Sequence, residues 1–189
     1  LCDAGNAESF SRRWKANDFV LWVGRNDPVK NPADFVRLAA RCPDLNFVMI
    51  GERIDSLSLR DEWGVDTPDN LGFTGVLTRS EVQDAIAASS ALVVTSRREG
   101  FPTLVLEAHA RGKPVLVPND PGCTEALGNT EGGCIYEHGD IEELRASLIA
   151  VLAEDDSARA LRRRHRILTM YDWRVIAPRL DALYRGDAA

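Results

Sequence analysis

Residues 19–50 read FVLWVGRNDPVKNPADFVRLAARCPDLNFVMI, and the unit they encode recurs along the rest of the chain. Phe19–Val23 is an unbroken apolar run, the pattern of a short strand covered on both faces. Asn31-Pro32 pairs an N-cap residue with proline at the first helical position. Phe35, Leu38, Ala39 and Cys42 then recur at i, i+3, i+4 and i+7, which is one face of a helix. Asn46–Ile50 is a second apolar strand, ending at Gly51. A strand, a crossover helix and a strand in that order make a parallel pair.

Downstream the same alternation continues. Leu71–Thr74 predicts a third strand, and Thr78 with Glu81 a capping box opening a helix that buries Val82, Ala85 and Ile86. Ala91–Thr95 is a fourth strand, and Pro102–Arg111 a helix stopped by Gly112 and Pro114. Val115–Val117 is a fifth strand and Gly133–Tyr136 a sixth. Asp140 and Glu143 cap a helix lined by Leu144, Leu148, Val151 and Leu152, and two more helices follow, to about Met170 and from Trp173 to Tyr184. The expectation is α/β: a doubly wound, mostly parallel sheet with C-terminal helices. Its ligand crevice lies off the carboxyl ends of the strands. Residues 1–18 are polar and read as an irregular linker from an upstream domain, 19–170 as the Rossmann-like domain and 171–189 as a C-terminal helix. The chain opens on Leu1, which fits a piece of a longer protein.

A chain of 189 residues is long enough for one domain with a proper core. Its net charge of −6 argues against a nucleic-acid binder, which needs a basic surface to displace counterions. The single basic run, Arg162 to Arg166, falls in a helical pattern and reads as a solvated face. Cys2, Cys42, Cys123 and Cys134 form no CxxC pair, and His109, His138 and His165 have no ligand spacing. Reduced thiols, no metal and a cytoplasmic setting are the expectation. No stretch of about 18 apolar residues is present to span a bilayer.

Three strand ends lead into sequence with chemistry. After the first strand comes Gly24-Arg25-Asn26-Asp27-Pro28-Val29-Lys30, where a glycine permits a tight turn and two cations five residues apart suit a diphosphate. A surface loop with incidental charges is the alternative. After the fourth strand, Glu99-Gly100-Phe101-Pro102 sets a helix N-terminus at the crevice, with the amides of Thr103 and Leu104 as an anion site. Glu107 lies one turn beyond Thr103 on the same face, leans towards the N-terminus, and could accept hydrogen bonds from a vicinal diol such as a ribose. The alternative is a partly buried glutamate satisfied by Arg25, Lys30 or Arg111. After the fifth strand, Gly122 in Asn119–Glu125 either lets amides approach a ligand or serves an ordinary strand-to-helix turn. Cys123 reads as a small buried residue.

Glu99 and Glu107, with seven residues between them and Gly-Phe-Pro after the first, resemble the glutamate pair of retaining GT-B glycosyltransferases, closest to the sucrose synthase and mannosyltransferase relatives. The likeness takes in Val23-Gly24-Arg25 with Lys30, Ile50-Gly51, Leu71–Gly75, Glu107-Ala108 with Gly112–Val115, Gly122-x-x-Glu125 and Tyr171-Asp172-Trp173. It implies a nucleotide-sugar donor domain, one Rossmann-like half of a GT-B fold, with a UDP-sugar favoured and GDP-mannose next. Arg25 and Lys30 would hold the diphosphate and stabilise the leaving group. Glu107 would bind the ribose and Glu99 lie by the sugar. Gly24, the backbone of Gly100, Phe101, Pro102, Thr103 and Leu104, and Phe73 with Thr74 near the base would complete the donor site. Transfer would be metal-independent, with no cofactor beyond the donor. The partner would be an N-terminal acceptor-binding domain of the same enzyme, through which peripheral membrane contact stays open. A non-catalytic nucleotide-sugar-binding domain and a sugar-nucleotide epimerase relative are the competing readings.

Overall fold

A computed structural model describes residues 5–128, 133–154 and 157–186. The strands are β1 (Phe19–Val23), β2 (Asn46–Ile50), β3 (Leu71–Phe73), β4 (Ala91–Val93), β5 (Val115–Pro118) and β6 (Gly133–Tyr136). They form one parallel sheet in the order β3-β2-β1-β4-β5-β6. The helices are α1 (Ala7–Trp14), α2 (Pro32–Arg41), α3 (Ser56–Trp63), α4 (Arg79–Ala88), α5 (Thr103–His109), α6 (Pro121–Leu127), α7 (Ile141–Ala153), α8 (Ser157–Met170) and α9 (Trp173–Arg185).

Alternation along β1 explains the two layers. Val20 and Trp22 face one core with Phe35, Leu38, Phe47, Met49, Leu144 and Leu148. Phe19 and Leu21 face the other with Phe10, Ile86, Val105, Val117 and Leu127. A sheet apolar on both faces must be covered on both, which right-handed crossovers accomplish. The order reverses between β1 and β4, so their carboxyl ends flank the switch-point crevice.

Three helices differ from the sequence reading. Residues 7–14, read as irregular, form α1, with Asn6 accepting from the Ser9 amide at 3.0 Å and Phe10 buried against Phe19. α3 escapes periodicity because it buries only Leu59, although Asp55 caps it at the Ser58 amide. α6 carries the same cue as α2, a cap residue followed by proline, with Asp120 accepting from the Cys123 amide. At α2 itself Asn31 holds the N-cap position but makes no side-chain cap bond. Its φ is 47°, and its side-chain Nδ2 donates to the Asp34 carboxylate at 2.6 Å.

The basic run is not simply a solvated face. Arg163 is buried and donates to the Gly112 carbonyl at 2.7 and 3.0 Å. Arg166 donates to the carbonyls of Ala126 and Leu127 at 3.1 and 2.9 Å. Arg166 thus closes the end of α6, where carbonyls lack helical partners and the helix dipole favours cations, while Arg163 holds the turn that follows α5. Cys42, Cys123 and Cys134 are free thiols, and Cys2 lies outside the described residues.

Candidate functional site

The loop after β1 is held on both sides. The Gly24 amide donates to the Ile50 carbonyl at 3.0 Å, and a Cβ at Gly51 would meet the Gly24 carbonyl at 1.8 Å. Only glycine at position 51 allows these two strand ends to approach so closely. At the far end, the buried Trp22 indole donates to the Thr95 hydroxyl at 2.8 Å. That hydroxyl lies 2.9 Å from the carbonyls of both Lys30 and Asn31. The Arg97 amide adds a bond to the Val29 carbonyl at 2.7 Å. The Gly24–Lys30 segment is therefore fastened to the chain leaving β4.

Within this frame Lys30 and Glu99 form an ion pair, 29% and 15% of their side chains being exposed. The pair bridges the ends of β1 and β4, where the strand order reverses. Arg25 lies farther out and is exposed, its guanidinium on Asp27 at 3.0 Å. Burial raises the Asp27 carboxyl's affinity for a proton, but the Lys30 amide, the Arg25 charge and the Val29 amide together hold it below the ordinary carboxylate value.

The loop bearing Glu99 rests on the turn after β5. The Glu99 amide donates to Asp120 at 3.3 Å. A Cβ on Gly122 would stand 2.2 Å from the Glu99 carbonyl and 2.3 Å from that of Gly100. Gly122 thus makes room for the neighbouring loop, which accounts for the glycine without a ligand. Phe101 packs on Tyr171 with ring centroids 5.9 Å apart, and Arg166 lies over the Tyr171 ring. The Gly-Phe-Pro and Tyr-Asp-Trp segments are therefore in contact. Burial, with Asp120 and Glu99 next in effect, pushes the Cys123 thiol up to about 12, so it stays protonated at neutral pH and is no nucleophile.

α5 begins at Thr103, and its N-cap Pro102 supplies no side-chain acceptor to the first-turn amides. Glu107, half-buried one turn on, accepts from the Gln83 amide of α4 at 2.6 Å. Its side-chain partner is thus Gln83, while Arg25 and Lys30 are engaged by Asp27 and Glu99. Arg111 donates to the Glu107 backbone carbonyl at 3.0 Å. Gln83 was missing from the sequence reading. It lies 24 residues from Glu107, on a helix whose pattern shows only a core face.

Phe73 and Thr74 lie on the next strand end, where the Gly51 amide donates to the Gly75 carbonyl at 3.1 Å. They line a groove of about 290 Å³ along edge strand β3, walled also by Trp14–Asn17, Asn46–Val48 and Asp69–Gly72. Its walls do not include Lys30, Glu99 or Glu107. Among the described residues no group of three His, Cys, Asp or Glu is placed to hold a metal, and no helix is long and apolar enough to cross a membrane.

Residues 6–167 match the family model described as glycosyl transferases group 1. The chain is 30% identical over 169 residues to the N,N'-diacetylbacillosaminyl-diphospho-undecaprenol alpha-1,3-N-acetylgalactosaminyltransferase of Campylobacter jejuni, covering 87% of this chain and 44% of that protein. Its fold is similar to sucrose-phosphate synthase from Thermosynechococcus elongatus, with a TM-score of 0.80 and 23% identity over 96% of this chain and 49% of that one. It is also similar to Anabaena HepE, solved in complex with UDP-glucose, with a TM-score of 0.78 and 20% identity over 95% of this chain and 52% of that one. The chain spans about half the length of the proteins it matches.

Proposed function

The chain belongs to the glycosyl transferases group 1 family, and from that premise we propose that it is the donor-binding half of a retaining, metal-independent glycosyltransferase. The donor is a nucleoside-diphosphate sugar, a UDP-sugar ahead of GDP-mannose. The observation that carries this reading is the meeting of Lys30 and Glu99 at the β1/β4 switch point, on loops tied to one another. The likeness to a structure holding UDP-glucose lends the uridine donor support.

The chemistry follows from charge. Transfer breaks the bond between the anomeric carbon and the diphosphate oxygen, and negative charge grows on that oxygen. Lys30, Arg25 and the first-turn amides of α5 meet this charge more strongly in the transition state than in the ground state. Lys30 has three donors and spends one on Glu99, which leaves two for phosphate oxygens. Glu99, held beside the ammonium, faces the transferred sugar, and Glu107 takes the ribose diol. The acceptor hydroxyl bonds to the anomeric carbon on the face the diphosphate leaves, and its proton passes to the departing phosphate oxygen.

The acceptor site lies in a second domain. None of the residues of α9 is buried, while Trp173, Leu183 and Tyr184 are exposed, which favours further protein surface there. Hydrogen exchange with and without UDP-glucose or GDP-mannose tests the donor reading. Protection is expected in residues 24–30 and 99–107. Protection confined to the β3 groove would sink it.

A further inference from the structure

We propose that Gln83 is a positioning residue that sets the selectivity of this site for a ribose diol, an inference that rests on the assignment of Glu107 to the ribose. Gln83 lies on α4, outside every strand-end loop, and is 4% exposed. Its Nε2 donates to Oε2 of Glu107 at 2.6 Å, while its Oε1 is buried with no hydrogen-bond partner. An apolar side chain would fill that space without leaving a carbonyl unsatisfied. The feature only an amide supplies there is the N–H aimed at a carboxylate. The reverse orientation of the amide would set oxygen against oxygen, so the contact itself dictates which way Gln83 points.

The donor comes from a firmly anchored helix. Thr78 and Glu81 close a capping box at the start of α4, and Ala85 and Ile86 are buried in the core. Asp84 accepts from the Asn6 amide at 2.5 Å, and a Cβ at Gly5 would meet the Gln83 carbonyl at 2.5 Å, so the chain before α1 packs on the same turn. Glu107 has three rotatable bonds, and a diol that had to order them would bind more weakly. With Oε2 held by Gln83, the rotamer is set beforehand and Oε1 remains for the diol hydroxyls. Gln83 touches no substrate and acts through Glu107.

The test is calorimetric titration of the full chain with UDP and GDP and with the 2′,3′-dideoxy form of each. Wild type should favour the ribo form. Gln83→Leu should reduce that preference about fivefold to tenfold, the range expected for loss of one hydrogen bond. Its affinity for the dideoxy form should not change. Gln83→Met, a second apolar replacement, should behave alike, with circular dichroism confirming both folds. In a Glu107→Gln background, Gln83→Leu should add nothing. If the ribo preference survives in both variants, or if ribo and dideoxy affinities fall together, the positioning role is overturned while the ribose assignment stands. If wild type itself shows no ribo preference, the assignment of Glu107 fails and takes this inference with it.

Discussion

Lys30 and Glu99 are 69 residues apart in sequence and joined as an ion pair across the switch point of the sheet. Each side chain is largely enclosed, at 29% and 15% exposure, so neither charge is fully screened by water. Removing one partner leaves the other partly buried and uncompensated. The two halves of the pair should therefore respond to substitution with opposite sign.

Lys30→Ala strips a cation from the crevice and leaves the Glu99 carboxylate facing the diphosphate. Nucleoside diphosphate affinity should fall about 10- to 100-fold, the scale of one charge-assisted contact, with little change for the free nucleoside. Arg25→Ala should cost less, because that side chain is exposed and already engaged by Asp27. Adding Glu99→Gln to Lys30→Ala should recover part of the loss. Calorimetry on the three variants checks the order, and equal losses for diphosphate and nucleoside would point to the base pocket.

The two glutamates separate by ligand. Glu107→Gln should weaken bare UDP or GDP, because the nucleotide carries the diol. Glu99→Gln should bind bare nucleotide as well as wild type or better, since it frees Lys30. If Glu99 faces the sugar as proposed, turnover of this chain joined to the proposed acceptor domain should fall in Glu99→Gln. Nucleotide binding abolished by Glu99→Gln alone would reverse the roles.

Gly122 is judged by what a methyl group would strike. The added Cβ of Gly122→Ala meets the Glu99 and Gly100 carbonyls at 2.2 and 2.3 Å, so the donor loop must move. Such overpacking costs about 1–3 kcal/mol. A lower melting midpoint together with weaker donor binding is expected. Gly72→Ala is the control, its nearest neighbour being a carbonyl at an ordinary 3.8 Å. Equal stability of the two variants would contradict the tight loop contact.

The start of α9 should respond to acid. The Arg174 side chain and backbone amide lower the Asp172 carboxyl to about 2, against an ordinary value of 3.8. A depressed value means that Asp172 stabilises the folded chain above the ordinary value. That stabilisation is lost as pH falls towards about 2. Hydrogen exchange in residues 173–176 should rise across that window. Asp172→Asn keeps a capping group without a titrating one, so its exchange should stay flat over the same range.

Much of the fold was legible because a doubly wound sheet repeats one local pattern. The bounds of β1 and β2 follow directly from two apolar runs, and Thr78 with Glu81 and Asp140 with Glu143 announce their helices. α1 and α3 were not legible, since each is eight residues long and fully buries a single side chain, Phe10 and Leu59. The site divided in the same way. Lys30, Glu99 and Glu107 stand out by position after strands, but their partners are set by tertiary packing. The pairing of Lys30 with Glu99 rather than with Glu107, and the Gln83 amide on Glu107, depend on how α4 and the β4 loop meet. The guanidinium groups of Arg163 and Arg166 likewise look solvated until α8 is laid against α5 and α6.

Under the proposed function, the switch-point crevice holds a nucleoside-diphosphate sugar without a metal ion. Calorimetric titration with UDP-glucose and GDP-mannose, run in EDTA and again with Mg²⁺, tests it most directly. At least one donor should bind in EDTA, unchanged by Mg²⁺ and weakened about 10- to 100-fold by Lys30→Ala. Binding that appears only with Mg²⁺, or that is indifferent to Lys30→Ala, would contradict it.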